Sequence, residues 1–177
     1  MKTKTMNRFF LSLLTLTTLA ACDSGQEQDG PNLPTEQSAS TGSVDALRVH
    51  TSEFMSREEH TDPSVEVRHL LVSFRGRGVG GVQRSQEEAE ALAAELYERA
   101  VGGEDFAALV AEHSDDSPEG VYRMVLSGGQ PPTTWNRNGM VAAFGDAGWR
   151  LQPGELGVVG FDPKRSPYGW HLVMRLE

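Results

Sequence analysis

Two histidines in apolar settings are the side chains best placed to do chemistry in this chain. One lies in Val67-Arg68-His69-Leu70-Leu71-Val72, the other in Tyr168-Gly169-Trp170-His171-Leu172-Val173. Histidine is unusual inside a strand, and two such strands can be neighbours in one sheet. Their imidazoles can then hydrogen-bond and fix each other's tautomers. The same pattern also fits two satisfied core histidines. Met140 and Phe144 stand four apart, so on one helical face both can touch a single apolar ring, or both can simply fill a core.

Other chemistries find no support. Gly76-Arg77-Gly78-Val79-Gly80-Gly81 follows a strand and matches G-x-G-x-x-G, but the next helix opens only after Ser85. Its N-terminus therefore cannot face a phosphate held by those glycines, and a solvated loop is the better reading. The histidines show no H-x-x-x-H spacing for a metal, and no Gly-x-Ser-x-Gly turn exists for a hydrolase.

The elements that must position these residues follow from periodicity. Residues 65–74 read as a strand dense enough in apolar residues to be buried on both faces. Ser85-Gln86-Glu87-Glu88 is a capping box, opening a helix with Ala89, Leu92, Ala93, Leu96 and Ala100 on one face, stopped at Gly102-Gly103. A second helix starts near Glu104 or Asp105, carries Phe106, Leu109, Val110 and His113 on one face, and ends at Ser114-Asp115-Asp116-Ser117-Pro118. Residues 119–138 are mostly loop with a short strand at 121–126. A third helix is expected from about Met140 to Leu151, weakened by Gly145 and Gly148. After the turn at Gln152-Pro153-Gly154, residues 155–161 and 170–176 read as two strands. The order predicts an α+β fold: a small antiparallel four-stranded sheet flanked by three to four helices.

The N-terminal part has a different character. Lys2, Lys4 and Arg8 precede an apolar or small run over residues 9–21, which fits a signal-peptide core and is too short to span a bilayer comfortably. It ends in Leu19-Ala20-Ala21-Cys22, and Cys22 is the sole cysteine. This run resembles a bacterial lipobox. The resemblance implies cleavage before Cys22 and its lipidation, which anchors the chain to a membrane and removes a thiol that has no disulfide partner. Residues 22–43 are polar and read as a flexible tether, holding the domain about 25 Å off the bilayer. Residues 44–64 precede the domain; over 44–62 they fit a short docking helix and a loop equally. Loss of Lys2, Lys4 and Arg8 with the leader leaves 13 Lys+Arg against 25 Asp+Glu, a net of −12. That balance argues against nucleic acid and against electrostatic docking on anionic lipid.

Residues 65–177 resemble the parvulin family of peptidyl-prolyl isomerases. The resemblance rests on six pieces in order: the strand around His69, Gly103-Glu104-Asp105-Phe106-Ala107-Ala108-Leu109, Ser114-Asp115-Asp116, Gly139-Met140 through Phe144, Leu151-Gln152-Pro153-Gly154-Glu155-Leu156, and Gly169-Trp170-His171-Leu172-Val173. It implies a parvulin/FKBP-like fold and catalysis of cis–trans exchange at proline, with no cofactor and no metal. His69 and His171 would be the paired histidines, Asp116 the acidic group, and Ser166 the hydroxyl near the pair. Met140 and Phe144 would hold the proline ring. Gly128-Gly129 departs from the family pattern, continuing Gln130-Pro131-Pro132-Thr133-Thr134-Trp135. A leucine that closes one wall of the pocket is missing, and Trp135 takes the place of the usual aromatic. Arg75, Arg77 and Arg84 flank the glycine loop, where some relatives read a phosphate; here they fit a solvated loop better. The implied partners are proline-containing unfolded or exported polypeptides at a bacterial envelope. The alternative is a non-catalytic chaperone or peptide-binding module on the same fold.

Overall fold

The computed structural model describes residues 36–177, the side chains of residues 36–41 apart. The leader expected over 1–21, Cys22 and residues 23–35 lie outside the described residues. Strand β1 (Ser64–Ser73) runs through the middle of the sheet and is buried continuously from His69 onward. It pairs antiparallel with β2 (Val121–Val125) on one side and with β5 (Gly169–Arg175) on the other. Strand β4 (Leu156–Val159) adds antiparallel to β5.

The α+β class agrees with the sequence reading, but the sheet has five strands rather than four and is mixed. A two-residue strand, β3 (Trp135–Asn136), pairs parallel with β2, giving the order β3-β2-β1-β5-β4. The glycine pair explains it. Gly128 turns the chain at φ 78°, and the Gly129 N–H donates to Asn136 Oδ1 at 2.8 Å, folding residues 128–136 back beside β2.

Helix α2 (Gln86–Val101) opens on the reciprocal cap read from sequence. The Glu88 N–H donates to Ser85 Oγ at 3.2 Å, and the Ser85 N–H to Glu88 Oε2 at 2.6 Å. Helix α3 (Phe106–His113) opens at Asp105, whose Oδ1 accepts from the Ala107 N–H at 2.9 Å. The third sequence helix is shorter than expected. Only Ala142–Ala147 (α4) is α-helical, between 3-10 turns at Arg137–Gly139 and Gly148–Arg150. Val141 at its start offers no side-chain cap, and Gly145 and Gly148 are poor helix formers. Met140 is therefore extended (φ −88°, ψ 167°) and not on the helix with Phe144.

The segment before the domain resolves as helix. Helix α1 (Glu36–Ser56) begins inside the stretch read from composition as tether, so residues 36–43 are helical. Leu47 and Phe54, seven apart, are buried on one face, with Val44 half-buried beside them. Strand β4 has room for Phe54 because residue 157 is glycine: a Cβ there would lie 2.7 Å from the Phe54 ring.

Alternation along β1 and β5 divides the core. Leu70, Val72 and Leu172 pack toward α2 and α3. Val65, Val67 and Val173 face the other way, toward Phe144, Ala147 and Trp149. His69 and His171 share the parity of the second set.

If α1 is integral to the domain, Phe54→Ala should lower unfolding stability by about 3–5 kcal/mol. Exposed Val49→Ala should stay within about 0.5 kcal/mol. Urea unfolding of both variants makes the comparison.

Candidate active site

The β1–β5 register sets Leu71 opposite His171 and His69 opposite Val173. The two histidines are thus diagonal neighbours on one face, within reach of long side chains. Both are buried, at 3% and 2% exposure. His69 Nε2 and His171 Nδ1 lie 2.8 Å apart, with the rings nearly parallel at 18°. The cross-strand contact expected from sequence is present.

Asp116 arrives from the turn after α3. That turn is held against the edge of β1 where β2 no longer covers it. Ser114 Oγ accepts from the Leu71 N–H at 3.2 Å, and Asp115 Oδ2 from the Ser73 N–H at 2.7 Å. Asp116 Oδ2 lies 3.3 Å from His69 Nδ1, a charge contact without hydrogen-bond geometry, and accepts from the Tyr122 hydroxyl at 2.6 Å. The His69 imidazole holds the Asp116 carboxyl down at about 2; partial burial opposes this and the Tyr122 hydroxyl reinforces it. Burial, then the bond to Asp116, pushes the Tyr122 hydroxyl up, so it remains a donor.

An ionised carboxylate can only accept, and its charge beside His69 Nδ1 favours a proton on that nitrogen. With neutral rings, His69 carries its proton on Nδ1 and accepts at Nε2. His171 then donates from Nδ1 and leaves Nε2 bare. Neither that nitrogen nor His69 Nδ1 meets a hydrogen-bond partner, so Asp116 acts on His69 through its charge at 3.3 Å. Complete burial, and after it the neighbouring His69, pushes His171 well below the usual imidazole range, so it stays uncharged.

Phe144 completes the aromatic cluster. Its ring centroid lies 4.4 Å from His69, 5.5 Å from Tyr122 and 5.8 Å from His171. Together with Leu71, Val79, Met140, Val141 and Tyr168 these side chains line a cavity of about 360 Å³, with Asp115 and Asp116 also on its wall. His69, His171, Asp116, Met140 and Phe144 therefore meet at one hollow, although Met140 reaches it from an extended segment.

Two expected residues lie elsewhere. Ser166 is buried in the turn before β5; its hydroxyl donates to the Gly169 carbonyl at 2.9 Å, and it does not line the cavity. Trp135 stands behind Tyr122, ring centroids 6.3 Å apart, and does not line the cavity either. Of the three arginines that flank the glycine loop, Arg75 is exposed and the other two are engaged in the fold. Arg77 stacks over Phe74 and Phe161, and Arg84 pairs with Asp115.

Sequence reasoning missed Tyr122, Val79 and Tyr168. Tyr122 shares its face of β2 with buried Met124, a period-2 signal too short to read in a five-residue strand. Tyr168 immediately precedes the Gly169 of the matched strand, and Val79 sits inside the glycine loop.

The fold has solved counterparts. The peptidyl-prolyl isomerase ESS1 from Candida albicans superposes with a TM-score of 0.51 at 20% identity, covering 75% of this chain and 74% of that one. This is an α+β fold of the parvulin kind. The family model described as the PPIC-type PPIASE domain matches residues 49–177, and the chain belongs to that family. Among curated relatives, Chaperone SurA of Chromohalobacter salexigens is 39% identical over 108 residues, 60% of this chain and 21% of the relative. Foldase protein PrsA 4 of Bacillus cereus is 29% identical over 116 residues, 66% of this chain and 32% of the relative. The chain thus spans about a fifth to a third of the length of these relatives. The match begins at residue 49, inside α1, so the helix is only partly covered by it.

The depressed His171 gives a pH prediction with a definite sign. Below about 6.5 the unfolded chain gains a proton there and the folded chain does not, so the unfolded state binds more protons. Stability should be complete above that pH and fall on acidification, by about 1 kcal/mol near pH 5.5 from this group. Urea midpoints between pH 7.5 and 5.5 would check it, and a flat profile would contradict the buried neutral ring.

Proposed function

We propose that this chain is a peptidyl-prolyl cis–trans isomerase acting on proline-containing, unfolded exported polypeptides as a folding factor. The observation that carries the reading is the apolar cavity floored by Phe144 and Met140 and walled by the two hydrogen-bonded imidazoles. Rotation about a prolyl amide faces a barrier of roughly 20 kcal/mol. The twisted transition state has lost amide resonance, so its carbonyl is less polar than in the planar ground state. An apolar cup bound to the proline ring favours the twisted form, and each ~1.4 kcal/mol of preference speeds exchange tenfold. Asp116 puts a fixed negative charge at the rim, where it disfavours a polarised carbonyl oxygen. No bond to carbon breaks, so no nucleophile is required. Ser166 serves as a positioning residue that pins the chain entering β5.

A second reading, peptide holding without turnover, rests on the Gly128–Trp135 departure, where Trp135 backs Tyr122 instead of closing the cavity. Exchange spectroscopy on Ala-Pro and Phe-Pro peptides separates the two. The isomerase reading expects exchange faster than in the free peptide, with a loss of tenfold or more in Phe144→Ala. Uncatalysed rates with retained peptide binding would leave the holding reading.

The envelope address rests on the lipobox-like Leu19-Ala20-Ala21-Cys22 and on the likeness to SurA and PrsA. Among the described residues no helix is long and apolar enough to cross a membrane. The lipobox-like run makes lipidation at Cys22 the proposed membrane attachment. The mature protein should show the mass of a chain beginning at an acylated Cys22, and an unmodified cysteine would remove the anchor.

A further inference from the structure

Met140 lines two hollows. On one side is the proline cavity; on the other is a second groove of about 340 Å³, lined by Leu126, Arg137, Asn138, Met140, Ala142 and Asp146. Its apolar surface is open to solvent, with Leu126 50% exposed and Ala142 also exposed. Its charges are already neutralised. Arg137 bonds Asp146 at 2.6 Å and Glu59 at 2.7 Å, and Asp146 also takes Arg165 at 3.0 Å. The groove therefore presents Arg137 and Asp146 only as a mutually paired couple, with the uncharged amide of Asn138 and the apolar side chains of Leu126, Met140 and Ala142. Its size is at the small end for a ligand site, room for a side chain or two.

We infer that this second groove is an extension of the substrate site, receiving an apolar side chain of the same polypeptide a few residues away from the proline seated next to Phe144. The inference rests on the isomerase or holding reading of the first cavity. Continuity argues for this occupant: one side chain, Met140, forms the partition, so a chain leaving the proline cavity over it enters the groove directly. Methionine is suited to a shared wall because its unbranched thioether adjusts to either side. The apolar half of the lining, Leu126, Met140 and Ala142, selects the chemistry, with the charged half already paired: leucine or phenylalanine on an unfolded segment, in place of the small or charged residues of a random linker. Sequence reading gave no hint of it, because Leu126 and Ala142 come together only through the 128–136 fold-back and the extended Met140.

The test is an amide-detected NMR titration of the full chain with the short peptide Ala-Ala-Pro-Ala and with longer peptides that add a leucine a few residues before or after the proline. The short peptide should shift Met140 and Phe144 alone. One of the longer peptides should also shift Leu126, Asn138 and Ala142 and bind roughly tenfold more tightly, the gain expected for burying one leucine. Leu126→Ser should remove that gain, as should the narrowing variant Ala142→Gln, while binding of the short peptide stays within about twofold. Longer peptides that bind no better than the short one, or a gain that survives both variants, would overturn the inference. The readout is binding, so a protein that fails to accelerate exchange defeats the isomerase reading without touching this one.

Discussion

The hydrogen bond between His69 Nε2 and His171 Nδ1 exists in only one register of β1 against β5. A slip of one residue would turn one imidazole to the opposite face of the sheet and leave two buried polar rings unpaired, at about 1–3 kcal/mol each. The backbone enforces the register with glycine on both sides of β1. Gly169 sits at φ 146°, and a Cβ there would lie 2.1 Å from the Val72 carbonyl oxygen. Gly120 sits at φ 60°, and a Cβ there would lie 2.4 Å from the His69 carbonyl oxygen. The neighbouring chains therefore come closer to β1 than any side chain permits, and the histidine geometry is inherited from that approach.

What the sequence revealed and what it concealed follow the range of the interactions involved. The cap of α2 is local, set within three residues, and is readable; for α3 the sequence gives only a start near Glu104 or Asp105, of which Asp105 is the cap. The histidine strands were readable because an imidazole in an apolar run is conspicuous whatever lies opposite. Met140 was placed on a helix because a spacing of four is helical by default. The chain instead leaves a 3-10 turn at Gly139, a choice made by weak capping and glycines that close-pack elsewhere: a Cβ at Gly148 would meet Val65 Cγ2 at 2.7 Å. Ser166 and Trp135 carry the residue types of a site, but where their side chains go is decided by tertiary partners, the Gly169 carbonyl and Tyr122. The sequence leaves residues 44–56 of α1 open between helix and loop and reads 36–43 as tether, because the composition is polar; only its contacts with α2 and β4 give Leu47 and Phe54 something to bury against.

Burial is graded across the site, and the grade sorts the charges. His171 is enclosed and neutral, while the Asp116 side chain is 38% exposed and ionised. His69 lies between them and touches both. Reversing that order would place a carboxylate in the interior, where it would take up a proton or destabilise the fold. The observed order keeps the imidazole wall uncharged for an apolar ring and leaves Asp116 as a charge without a cationic partner at the rim, Asp115 beside it being paired with Arg84. Tyr122 helps by donating to Asp116, so the carboxylate is held without a cation that would polarise a bound carbonyl.

The floor of the cavity is too short a helix to hold itself. Six residues without a side-chain cap are not stable as an isolated α-helix. α4 is held from behind instead. The Ala143 N–H donates to the Arg165 carbonyl at 3.0 Å, and Asp146 takes both Arg137 and Arg165. The Arg137 guanidinium lies 4.8 Å from the Trp149 ring centroid. A single exposed ion pair of this kind contributes little. Here Arg137 and Asp146 are both largely shielded and share partners, so the pairs act together on one helix turn. Because Arg137 also bonds Glu59 in the segment after α1, the position of Phe144 depends on a residue that never touches the cavity. The apolar cup is thus shaped from within by Phe144 and the imidazoles, and its floor is kept in place by charges on the far side.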